Sequence, residues 1–263
     1  MPIQKLPFNA KPYQRSDYPN QYSRDNEWKD ELINWFIDTD SSVRKRFGYS
    51  LFKDVGVTTP IDGFYFWKLK GLLYVVSGGR TFKITDKTGT MTEVTQDSLL
   101  SGYRPSFAET GTYLFMCNGQ NLLNTDGVTQ VAKIDDGDAP GGTSLGFLDT
   151  YVLSNVPGSS TFRFSNPGAP LEWPALNFAS PEGRADSLQA IFVKDRQVFL
   201  FGDKTTEVWF NDGSSPFSRR NDIFIESGCF AKYSIADCDG TFIWMDDNAQ
   251  VVALTGSKPE VII

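Results

Sequence analysis

Carboxylates are the residues of this sequence gathered most densely enough to suggest chemistry. Asp135, Asp136 and Asp138 lie in the glycine-rich loop IDDGDAPGG, and Asp237, Asp239, Asp246 and Asp247 crowd the end of the chain. Oxygen ligands at such spacings can hold calcium. No twelve-residue loop closed by a Glu follows, however, and Asp beside Gly is what a tight turn requires. The turn reading is the stronger one. Asp203 and Glu207 could serve as a glycosidase pair if the fold brought two carboxyl groups to the right separation. Histidine is absent from all 263 residues. That removes Ser-His-Asp and Cys-His nucleophiles, His-bearing zinc sites and imidazole acid–base work together. No GxGxxG, Walker or GxSxG motif is present, and Gly78-Gly79 reads as a hairpin turn. Neither a cofactor nor a metal is expected.

Cysteine, tryptophan and the basic residues give weaker signals. Cys117, Cys229 and Cys238 are odd in number and not at metal-ligand spacing. Free, mostly buried thiols in a reducing compartment fit better than a disulfide. Trp67, Trp209 and Trp244 fall inside β-rich runs and are expected in the core. Trp173, in the loop NPGAPLEWP, is the tryptophan expected at the surface and a candidate partner contact. Arg44, Lys45 and Arg46 form the one dense basic cluster. Three adjacent cations are most simply a solvated face; the functional alternative is a docking surface for an acidic partner. A net charge of −7 argues against gripping nucleic acid by its phosphates. DNA could still slide past such a protein without sticking. No apolar run approaches the ~18 residues of a membrane span, and no signal peptide opens the chain.

These residues have to be positioned by strands. The clearest stretch is LQAIFVKDRQVFLFGDKTTEVWFND, residues 188–212. β-Branched and aromatic runs at 190–193, 198–201 and 206–210 are separated by the polar turns Lys194-Asp195-Arg196 and Gly202-Asp203-Lys204, which is how an antiparallel meander is written. Four further copies of the pattern place their first turns near 71, 111, 150 and 240, around the one near 196. The intervals, about 40, 39, 46 and 44 residues, match a four-stranded propeller blade. One such sheet cannot bury both faces, so neighbours must stack around an axis. The expected fold is therefore an all-β propeller of about five blades, at 48–100, 101–142, 143–187, 188–232 and 233–263. An N-terminal arm or linker occupies 1–47, with a short strand expected within 31–36. Either the five blades close a ring with help from the arm, or the chain is the front part of a longer ring.

The stretch INWFIDTDSSVRKRFGYSL, then blades containing GLLYVV and TGTYLFMCNG, then LQAIFVKDRQVFLFGDKTTEVWFNDG, resembles the packaged DNA stabilisation proteins, the tail hubs of short-tailed phages. The match covers most of residues 30–255. It departs at Phe47, where the family usually has Pro. Family members are typically longer, so the chain resembles a partial copy. The resemblance implies a non-enzymatic virion part, made in the bacterial host cytoplasm and placed in the tail. It implies a homo-oligomeric ring, a hexamer, below the portal and adaptor that carries the tail needle or fibres. Such a ring retains the genome and lets DNA leave. The competing expectation is a carbohydrate-binding or glycoside-hydrolysing propeller, with aromatic and acidic residues converging at one mouth.

Overall fold

A computed structural model describes the backbone of residues 35–37, 43–45 and 50–262, apart from 87, 182, 185, 214, 215, 239 and 257. The chain divides into two compact units, Met1–Ser50 and Leu51–Ile263. In the first, β1 (Trp35–Ile37) and β2 (Val43–Lys45) pair antiparallel. The strand expected within 31–36 thus lies at the end of that window, and the arm at 1–30 lies outside the described residues.

The second unit consists of five four-stranded antiparallel sheets in chain order. The first contains β3 (Ile61–Trp67), β4 (Leu72–Ser77), β5 (Arg80–Ile84) and β6 (Met91–Glu93). The second contains β7 (Ser106–Glu109), β8 (Leu114–Cys117), β9 (Leu122–Thr125) and β10 (Ala132–Lys133). The third contains β11 (Leu145–Leu148), β12 (Tyr151–Asn155), β13 (Phe162–Phe164) and β14 (Phe178–Ala179). The fourth contains β15 (Leu188–Lys194), β16 (Gln197–Gly202), β17 (Thr206–Asn211) and β18 (Phe217–Ile225). The fifth contains β19 (Ala236–Cys238), β20 (Thr241–Met245), β21 (Val251–Thr255) and β22 (Lys258–Val261). Each sheet is a simple meander, so every strand pairs with its neighbour in sequence. The fold is all-β with propeller-like blades.

Turn chemistry fixes the registers. Gly78 and Gly79 take φ of 60° and 79° between β4 and β5, the left-handed pair a two-residue hairpin needs. A Cβ on Gly79 would lie 2.3 Å from the Leu99 carbonyl oxygen, so glycine is required there twice over. Asp195 and Arg196 also have positive φ, which β15 and β16 impose by joining across so few residues.

Four apolar seams hold neighbouring blades together. Trp67, Tyr74 and Val76 of the first sheet pack on Leu114, Met116 and Leu123 of the second. Phe115 and Leu122 meet Leu145 and Val152 of the third. Phe162 and Phe164 meet Leu200, Trp209 and Phe217 of the fourth. Phe199 and Phe201 meet Phe242 and Trp244 of the fifth. The third seam is dense in aromatic edge-to-face pairs, with Phe162–Trp209 ring centres 5.6 Å apart and Phe164–Phe217 at 5.1 Å. Each such pair adds about 0.5–1.5 kcal/mol beyond area burial. Gly146 belongs to the same seam: a Cβ there would press to 2.8 Å from Val193 of the next sheet. Polar stitches run alongside. Leu145 N–H donates to Ser106 Oγ at 3.0 Å, and Ile191 N–H to Ser144 Oγ at 2.8 Å.

The outer face of the first sheet has no such neighbour among the described residues. Register places Phe64, Val75 and Phe82 in one row and Phe66, Leu73 and Ile84 in the next, both turned away from the second sheet. Val55 and Val57 cover the outer part of those rows. Phe64 and Phe66, on β3, stay 70% and 57% exposed.

Candidate functional site

Asp136 and Asp246 of the acidic clusters serve turns, while Asp237 lies in β19 and pairs with Lys194. Asp136 accepts the Asp138 N–H at 2.9 Å with one oxygen and the Trp173 N–H at 2.7 Å with the other. Asp246 accepts the N–H groups of Asn248 and Gln250 at 2.9 Å each. Asp126, in the turn after β9, accepts from the Val128 and Thr129 backbones and the Thr129 hydroxyl, which hold its carboxyl down at about 2. Carboxylates satisfied this way shape loops instead of waiting for a ligand. Among the described residues no three acidic or thiol groups are placed to hold a metal ion. Asp239 lies outside the described residues.

Asp203 and Glu207 are engaged separately. Asp203 accepts from the Ser187 N–H at 3.2 Å and from the Gln189 amide. Glu207 is 1% exposed and accepts from the Gly183 N–H at 2.6 Å and the Trp209 Nε1–H at 2.8 Å, with Arg219 Nε 3.6 Å away. It ties the loop after β14 to the fourth sheet, a scaffolding task for a buried charge. The sequence marked Glu207 as a carboxylate on a strand; nothing in it showed that the side chain points inward.

The expectation for Trp173 is corrected. Its side chain is 1% exposed, packed in the seam between the second and third sheets. Its Nε1–H donates to the Pro170 carbonyl at 3.2 Å, while Asp136 holds its backbone. The proline-rich loop folds back so that a large apolar ring leaves water, which proximity of Pro and Gly alone does not reveal. It is therefore not a surface contact. Arg44 and Lys45 belong to β2, and Arg46 lies outside the described residues. Trp67, Trp209 and Trp244 are buried, as expected. Cys117 and Cys229 are buried free thiols pushed upward by burial, and Cys238 is exposed.

One convergence was not foreseen. Arg104 and Thr143 sit just ahead of β7 and β11, and Lys232 and Tyr233 stand just ahead of β19, in a single 3-10 turn, Lys232–Ser234. Tyr233 Oη donates to the Arg104 carbonyl at 2.5 Å, and Lys232 Nζ to the Thr143 carbonyl at 3.3 Å. The Arg104 guanidinium lies 4.6 Å from the Tyr233 ring centre and the Lys232 ammonium 4.9 Å from it. Residues 129 and 89 positions apart thus meet where strands of three sheets begin.

Five four-stranded meanders in a row, each packed on the next through an apolar seam, make propeller-like blades. The family model described as "Bacteriophage P22 Gp10, beta-propeller" matches residues 40–254, and the chain belongs to that family. It is a phage virion structural protein of a kind that stabilises packaged DNA. No curated protein matches in sequence. Similar solved structures include BamB from Moraxella catarrhalis, with a TM-score of 0.52, 11% identity, and 86% of this chain covering 68% of that one. The extracellular domain of the putative hybrid two component system BT4673 from B. thetaiotaomicron gives a TM-score of 0.54 at 10% identity, over 79% of this chain and 31% of that. Dihydro-heme d1 dehydrogenase NirN gives 0.52 at 15%, over 75% and 45%. At such identities the likeness concerns the fold alone. No helix among the described residues is long and apolar enough to cross a membrane.

Proposed function

We propose that the chain is a non-enzymatic component of a short-tailed phage tail, a hub that closes the head after packaging, retains the genome and forms part of the conduit for DNA ejection. The observation that carries this reading is the family match across residues 40–254 on a fold whose Asp136 and Asp246 are spent on turns. A rigid stack of blades offers exposed loops for contacts between copies and with neighbours. A ring of copies, a hexamer by family resemblance, would meet the portal or adaptor on one side and a needle or fibre on the other. The excess of negative charge suits a wall that DNA moves along, because a cationic wall would bind phosphates and retard it. Arg44, Lys45 and Arg46 are the proposed docking cluster for an acidic neighbour.

The test is negative-stain microscopy of the protein purified with its neighbouring tail gene products. Rings seated below the portal are expected. Replacing Arg44, Lys45 and Arg46 by Ala is expected to weaken assembly and leave the melting temperature nearly unchanged. Hydrolytic turnover on any glycan, or tails that assemble normally without this chain, would overturn the reading.

A further inference from the structure

The convergence at Tyr233 is electrostatically incomplete. Two cations lie within 5 Å of one aromatic ring, and neither has an ion pair to a carboxylate among the described residues. Some cations elsewhere in the fold do pair with acids: Lys194 meets Asp237 at 2.8 Å, Lys204 meets Asp247 at 3.2 Å, and Arg163 meets Asp138 at 3.1 Å. Of the ionisable groups near Lys232, the Cys117 thiol is fully buried and held neutral, so it supplies no negative charge. The Lys232 ammonium is half buried, and burial lowers its pKa. An anion arriving there would relieve that penalty.

The surroundings favour a protein over a polynucleotide. Tyr103, beside Arg104, is exposed, as are Phe230, two residues before Lys232, and Tyr233 itself. Tyr, Phe and Arg are the residues that concentrate binding energy at protein interfaces. Gripping DNA instead takes many phosphate contacts, and two cations on a chain of net charge −7 supply few.

We propose that Arg104, Lys232 and Tyr233 form a docking point for an acidic loop or tail of another protein, whose carboxylate would sit between the two cations while its apolar neighbours cover Tyr103 and Phe230. That the neighbour is a virion protein rests on the function proposed above; the site itself does not.

The experiment uses the purified full chain and a fluorescein-labelled octapeptide of alternating Glu and Leu, read by anisotropy at low and moderate salt. The expected result is binding that weakens with salt and falls at least tenfold in the Arg104→Gln/Lys232→Gln variant. The control variant Lys68→Gln/Lys70→Gln, altered at exposed cations of the first sheet, should match the parent. If the double variant does not fold, mass spectrometry of the parent treated with phenylglyoxal replaces it: the peptide should protect Arg104 from modification. Equal binding by parent and double variant, or no protection, overturns the proposal. So does a 20-base-pair duplex that binds in a manner lost with the two cations while the peptide does not bind. A chain that binds the peptide yet is missing from virions would instead sink the tail reading and leave the site standing.

Discussion

The seam between the third and fourth sheets and the outer face of the first sheet use the same residue types to opposite ends. In the seam, Phe162, Phe164, Trp209 and Phe217 interlock edge to face and are buried. On the outer face, Phe64 and Phe66 stand on an equally regular ladder and remain exposed. Both strands alternate, both are rich in aromatic residues, and both would be read as core from their pattern. The difference is a neighbouring sheet. Burial in a propeller is a property of the pair of blades, because a twisted sheet buries a face only when another lies on it.

That contrast can be broken by substitution. Phe162→Ala removes a ring that touches Trp209, Phe164 and Phe217, and is expected to destabilise the protein by about 3–5 kcal/mol. Urea unfolding would show it as a lower midpoint with an unchanged slope. Glu207→Ala, in the same fourth sheet, leaves the buried Trp209 Nε1–H without its acceptor and removes the ties to the Gly183 N–H and Arg219, and about 1–3 kcal/mol should be lost. A change under 0.5 kcal/mol there would mean that solvent reaches these groups. Phe64→Ser is expected to shift stability by no more than about 0.5 kcal/mol, as exposed substitutions do. A loss as large as that of Phe162→Ala would show the outer face to be covered in solution and would remove the distinction between the two regions.

The strands were legible because their signals are local. Alternation at 145–154 and 188–210, with Asp149 and Asp195 in the turns, specifies hairpins within a dozen residues. The weaker strands were not. β14 is two residues long and pairs with β13 across a 13-residue excursion, and β18 (Phe217–Ile225) lies beyond the stretch 188–212 whose runs mark the meander. Short edge strands hold their place through the ladder beside them, so their own residues carry little pattern.

What the sequence determined by itself was therefore the repeating sheet, its turns and the exclusion of histidine chemistry, all written within single hairpins or in composition. What only the tertiary structure decided was every relation between distant residues. Trp173 went inward because a loop folded over a seam, and Glu207 became a buried strut because Gly183 and Arg219 came to it. Arg104, Lys232 and Tyr233 met because three sheets start at a common place. Contacts spanning a hundred residues leave no period in a chain, since each partner is chosen by the fold and not by its neighbours in sequence.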